Sequence, residues 1–242
     1  MMLKRALAVC ALLGCAVLPA ADGAAQVIRS GSSSCKAVAL TFDMCPVRVG
    51  AGYDAPLIDM LMDRRIPATF FLSGRWIARH EAEVKALLAV PFFEVGTHGQ
   101  AHAHLPAQDA DRQRAEISGP VLTLRKRYGY RGLLFRPPFG EYDDTTEEVA
   151  RALGLRFILW NVVSGDPDPR LSPDRMLEDL RARVRNGSIV VFHANGKGLH
   201  TRAVVEDLSQ DLLNKGLQLV TVTDLLDRCN VSADHAPVAG NH

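Results

Sequence analysis

Phe92-Phe93-Glu94-Val95-Gly96-Thr97-His98-Gly99-Gln100-Ala101-His102 is an apolar run that ends in two imidazoles four residues apart. The run predicts a strand over Phe92–Thr97, which puts His98 and His102 at its carboxyl end, where α/β folds collect their functional groups. Spaced i and i+4, the two histidines are read as one helical turn apart on a common face, within reach of one divalent cation. A His pair in a polar loop is equally well explained as surface histidines. The rest of the chain has to decide.

On both sides of this stretch, strand-like and helix-like segments alternate. Upstream lie a strand over Ala37–Asp43, a helix near Ala55–Arg65, a strand over Ala68–Leu72 and a helix around Trp76–Leu88. Downstream, Asp109–Tyr128 reads as a long helix stopped at Gly129, and short strand Leu133–Arg136 follows. Then come helix Thr146–Leu153, strand Arg156–Val162, helix Asp174–Arg185 behind the Ser172-Pro173 cap, and strand Ser188–His193. Helix Arg202–Lys215, strand Gln218–Val222 and helix Thr223–Arg228 complete the pattern. About seven βα repeats without a break in composition predict an α/β fold, a single-domain, distorted (β/α)7-8 barrel of parallel strands. A doubly wound open sheet is the alternative that periodicity leaves open.

The 242 residues suffice for one domain with a full core, and 48% hydrophobic residues fit a globular chain. Residues 1–25 read as an export signal: Lys4 and Arg5, an apolar stretch Ala6–Leu18, then a small-residue cleavage zone ending at Ala25. Leu12-Leu13-Gly14-Cys15 offers a second reading, a lipoprotein signal cut before a lipid-anchored Cys15. The apolar stretch is shorter than the roughly 20 residues a membrane span needs, so no transmembrane segment is expected. Residues 26–35 are read as a linker, 36–229 as the folded domain and 230–242 as a flexible tail. Removing the signal leaves 26 basic against 26 acidic residues. That balance gives no reason to expect a nucleic-acid partner. A periplasmic or extracellular location follows on either signal reading. There, Cys35 before the first strand and Cys229 after the last helix would both lie at the amino-terminal face of the barrel, so a Cys35–Cys229 disulfide is expected, with Cys45 unpaired. Three reduced core cysteines are the competing reading.

Reactive residues recur at strand ends. Asp43, His98, Arg136, Asp166 and His193 each fall at or just past the carboxyl end of a predicted strand, and a barrel brings such positions to one mouth. Asp43 suits a general base beside an activated water, and His98 and His102 suit zinc, the divalent metal most often held by imidazoles. His104, two residues beyond His102, is expected to point away. In Phe135-Arg136-Pro137-Pro138-Phe139-Gly140 the prolines stiffen a loop that can aim the Phe139 N–H at an oxyanion, and Arg136 can pair with a carboxylate. His193 can donate a proton to a leaving group with Asp166 orienting it. Each of these also has a structural explanation; the set is what carries weight.

In this order the segments resemble the polysaccharide deacetylase family (the NodB-homology domain, carbohydrate esterase family 4), over roughly Ala37–Leu226. The family's TFDDG, H-S/T-x-x-H, R-x-P-Y/F-G, Trp-to-Asp and L-x-H motifs correspond here to Thr41-Phe42-Asp43, His98–His102, Arg136–Gly140, Trp160–Asp166 and Val191-Phe192-His193. The resemblance implies metal-assisted removal of acetyl groups from a polysaccharide or oligosaccharide, with release of acetate. By it Asp43 is the base, His193 the acid, and His98 and His102 the metal ligands. Arg136 and Asp166 tune the pair, while Trp160 and Val191 line the acetyl pocket. Two departures stand out: Gly99 where Ser or Thr is usual, and Met44 where the family has a metal-binding Asp, followed by Cys45 instead of Gly. Three outcomes are open: Asp43 moves onto the cation, Cys45 coordinates as thiolate, or affinity falls. Met44 also motivates a metal-independent hydrolase of another C–N bond, and a sugar-binding relative without turnover is the third reading.

Overall fold

Among the described residues, nine strands form one sheet in the order β1-β6-β5-β4-β3-β2-β8-β7, with β9 also on β2, and every strand pair is parallel. The computed structural model describes residues 26–230, without the side chains of 228–230. The expected signal with Cys15, the side chain of Cys229 and the tail beyond Asn230 therefore lie outside the described residues. Among those described, no helix is long and apolar enough to cross a membrane.

The strands are β1 (Val27–Ile28), β2 (Ala37–Met44), β3 (Ala68–Leu72), β4 (Phe93–Thr97), β5 (Leu134–Phe135), β6 (Arg156–Ile158), β7 (Val162–Val163), β8 (Ile189–His193) and β9 (Gln218–Val220). The helices between them are α1 (Ala55–Asp63), α2 (Gly74–Arg79), α3 (Glu81–Ala89), α4 (Ala110–Tyr128), α5 (Asp144–Ala152), α6 (Pro173–Arg183), α7 (Thr201–Asn214) and α8 (Val222–Asn230). Local signals place several helix boundaries. Asp109 caps α4 through the Arg112 N–H and Gly129 ends it in the left-handed region, while the Ser172 side chain caps α6 ahead of Pro173.

Strand β2 is central and buried at all eight positions. Its even-numbered residues Val38, Leu40, Phe42 and Met44 join the main apolar cluster with Leu57, Trp76 and Leu208. On the opposite face, Ala37 and Ala39 belong to a second cluster, and Thr41 and Asp43 follow them toward the strand end. This period of two sorts apolar packing from polar chemistry along one strand.

Four segments differ from the sequence expectation. Trp76–Leu88 is two helices, because His80 leaves helical geometry, stacks on the Trp76 indole and places a ring nitrogen 2.9 Å from the Ala51 carbonyl. Arg156–Val162 is two strands at opposite ends of the sheet: β6 pairs with β5 and β1, and β7 pairs with β8. Leu159-Trp160-Asn161 bridges them, bonding the Ile28 carbonyl on one side and the Ile189 carbonyl on the other, so the curled sheet is drawn toward a barrel. Val27–Ile28, within the expected linker, is a strand on β6. Finally, His98–His102 contains no helical turn; Gly99 and His102 both take positive φ, 68° and 61°.

Candidate active site

The register of the sheet assembles the first half of the site. Asp43 on β2 is the direct partner of His193 on β8, so both side chains emerge at the same level on neighbouring strands. Thr97 on β4 pairs with Phe135 on β5, and the next residues, His98 and Arg136, are consequently neighbours, with His98 Nδ1 2.9 Å from the Arg136 carbonyl. A carbonyl only accepts, so Nδ1 carries the proton and Nε2 the lone pair.

Arg136 is fully buried and braces the floor. Its guanidinium donates to Asp43 Oδ1 at 2.8 Å, Thr41 Oγ1 at 2.9 Å and the Leu159 carbonyl at 3.1 Å, and lies 4.0 Å above the Phe71 ring. The other Asp43 oxygen is 3.6 Å from His98 Nε2. Burial opposes ionisation of Asp43, but His98, Arg136 and His193 together outweigh it and hold the carboxyl below its usual range. Across the strand pair, His193 Nδ1 donates to Asp166 Oδ1 at 2.9 Å. Burial disfavours the imidazolium, yet the Asp166 hydrogen bond and charge prevail and raise the His193 pKa above its ordinary value. Asp166 is itself clamped by the His193 N–H, Thr201 Oγ1 and Ser164 Oγ at 2.7–2.9 Å.

Next to this pair, the ring nitrogens of His98 and His102 and Sγ of Cys45 lie within 4.8 Å of one another, the one such three-member donor group among the described residues. Burial drives both imidazoles toward the neutral form that metal binding requires, His102 down to about 3, and pushes the Cys45 thiol up to about 12. All these groups open into one cavity of about 280 Å³, walled also by Phe139, Trp160, Val191 and Lys197. Pro138–Gly140 forms a tight turn in which Phe139 has φ 61°, and Gly140 leaves room for Trp160, whose ring would lie 2.9 Å from a Cβ there. His104 does point away from the donor group: it stacks on Phe139 at 4.1 Å and bonds Glu141.

A family model described as polysaccharide deacetylase matches residues 30–158. The chain belongs to the polysaccharide deacetylase family. It is 29% identical over 196 residues to a peptidoglycan-N-acetylglucosamine deacetylase of Bacillus cereus, covering 79% of this chain and 88% of that one. It is 27% identical over 188 residues to a bifunctional xylanase/xylan deacetylase of Cellvibrio japonicus, 77% of this chain but 27% of that larger protein. Among solved structures, a carbohydrate esterase family 4 pseudoenzyme from Bacillus anthracis superposes with a TM-score of 0.76 at 25% identity, over 85% of this chain and 70% of that one.

Against the pattern of this deacetylase family, the structure places the sequence-predicted residues Asp43, His98, His102, Arg136, Phe139, Trp160, Asp166, Val191 and His193 together. All line the cavity except Arg136, which sits beneath it. Met44 does not join them; it is fully buried in the main apolar cluster. Asp43 is outside the three-donor group; its Oδ1 bonds Arg136 and its Oδ2 lies 3.6 Å from His98 Nε2. Cys45 is free and buried. Sequence reasoning missed the supporting cast. Glu116 on α4 accepts the Gln100 and Ala101 N–H groups at 3.0 and 2.8 Å and so shapes the loop between the histidines. Ser164 and Thr201 position Asp166, and Asn195 bonds the Cys45 carbonyl at 3.0 Å. The polar, glycine-rich stretch Asn195–Thr201 directly after β8 was the available signal for two of these; Glu116 carries none.

Proposed function

We propose that this protein is an exported, metal-dependent hydrolase that removes N-acetyl groups from amino sugars of a cell-wall or extracellular polysaccharide. The observation that carries the reading is the Asp43–His193 pair, two titratable groups in strand register whose environments push them in opposite directions. A carboxylate biased toward its ionised form and an imidazole biased toward its protonated form suit the base and the acid that amide hydrolysis needs. Asp43 takes the proton of the attacking water, and His193 gives one to the departing sugar nitrogen. Arg136 and Asp166 hold the two in those states. Phe139 offers its N–H to the developing oxyanion, and Trp160 and Val191 enclose the acetyl methyl. His98 and His102 hold the cation, the His98 ring oriented by the Arg136 carbonyl behind it. What a divalent cation, zinc by its imidazole ligands, supplies when bound is Lewis acidity toward the acetyl carbonyl and the water.

The cavity, about 280 Å³, is slightly smaller than the ligand-pocket range of about 300–1,000 Å³, so a polymer lies across its mouth with one acetyl group inside. The signal over residues 1–25 and a Cys35–Cys229 bridge belong to the same proposal. The bridge is supported by α8, which carries residue 229 and packs on β2 just after Cys35. Met44, buried in the apolar cluster, motivates a metal-independent hydrolase of another C–N bond, and the second reading is a glycan-binding protein without turnover. Acetate release from N-acetylglucosamine oligomers decides between them. We expect release that chelation abolishes and zinc restores; release untouched by chelation points to the metal-independent reading, and binding without release to the second.

A further inference from the structure

The family's third metal ligand is a carboxylate at the position of Met44, and here that side chain faces the apolar layer with Phe42 and Leu57. The next residue does what Met44 cannot. Cys45 is 2% exposed at the end of β2, and its Sγ is the third member of the donor group with His98 and His102.

The backbone there is pinned on both sides of the thiol. The Met44 carbonyl accepts from Ser73 Oγ at 3.1 Å, and the Cys45 carbonyl accepts from Asn195 Nδ2 at 3.0 Å. On the facing loop, the Glu116 carboxylate fixes the Gln100 and Ala101 N–H groups. That loop holds His102 at φ 61°, a conformation costly for a residue with a side chain and kept only where surroundings impose it. Two rigid supports thus present one sulfur and two nitrogens to a common point. Zinc bonds of roughly 2.0–2.3 Å in a tetrahedron set ligand atoms about 3.5 Å apart. A group already within 4.8 Å reaches that by small side-chain rotations.

We propose that this chain binds its metal through Cys45 thiolate, His98 and His102, a sulfur-containing set in place of the family's carboxylate-and-two-histidine set. The proposal rests on the metal reading above and names the ligand that reading leaves open. On binding, the Sγ–H bond breaks, a sulfur–metal bond forms, and the proton leaves to solvent through the cavity. The set keeps one negative charge but exchanges a hard donor for a soft one, so it selects zinc or cobalt over manganese or magnesium.

Cobalt titration of the full chain under reducing conditions, followed by absorption spectroscopy, tests this. The wild type is expected to bind a single equivalent with a near-ultraviolet thiolate-to-cobalt charge-transfer band. Cys45→Ser should lose that band and bind cobalt more weakly by at least the roughly 10–100-fold that loss of an outer-shell partner costs. Cys45→Asp should recover binding without the band. Bound zinc should also shield one wild-type thiol from a thiol reagent until a chelator is added, a readout that needs no variant. Cobalt bound without the band, or equally tightly by Cys45→Ser, overturns the sulfur ligand and leaves the metal reading intact. Failure of the wild type to bind zinc or cobalt at all overturns both.

Discussion

On the β2–β8 side of the cleft, Asp43 and His193 stand in register on adjacent strands, and each is held by a buried partner of opposite charge. On the β2–β4 side, Cys45, His98 and His102 are placed by loops whose backbone is fixed from outside, by Glu116, Ser73 and Asn195. The first side is built by sheet geometry and ion pairs, the second by hydrogen bonds to main-chain atoms. A proton-transfer pair has to control charge, and buried counter-ions do that. A metal site has to control distance, and anchored backbone does that.

The sharpest way to break this contrast is Asp43→Asn. It keeps a hydrogen-bond acceptor for Arg136 but removes the proposed base, so acetate release should fall by about 10²–10⁴-fold while far-ultraviolet circular dichroism stays native. Near-normal turnover would show that Asp43 is not the base. Asp166→Asn addresses the charge logic of the same side. Asp166 raises the His193 pKa above 6.5, so the wild-type acid stays protonated to a higher pH than a free imidazole. Its neutral replacement lets burial dominate, and the alkaline limb of the pH–rate profile should move to lower pH. An unmoved limb would separate His193 from the rate. Glu116→Ala probes the other side and should have the smallest effect: zinc affinity down roughly 10-fold, with the alkaline limb unchanged. If Glu116→Ala shifts that limb instead, the two sides do not work separately.

How much of this was legible in the sequence divides along the same line. Strand ends are marked by apolar runs that stop at Asp43, His98 or His193, so those residues and the parallel αβ order could be read directly. Helix ends with local chemistry, such as Asp109, Gly129 and Ser172, were readable for the same reason. What could not be read depends on distant contacts. The break at His80 comes from a tether to Ala51, not from Gly or Pro. The apolar stretch through Val162 gives no sign that it changes sheet edge at Leu159. The i and i+4 spacing of His98 and His102 suggested a helical turn; two left-handed residues achieve the same meeting, with ring centroids 5.0 Å apart. The outcome matched and the route did not.

Arg136 ties β2 to the Leu159 carbonyl in the segment that joins the two ends of the sheet. The guanidinium that braces Asp43 is therefore also a hoop around the scaffold. A relative without turnover can keep Arg136 and Asp43 for this brace alone. Persistence of that couple in a relative is accordingly a record of architecture, and says nothing about whether the relative still works as a catalyst.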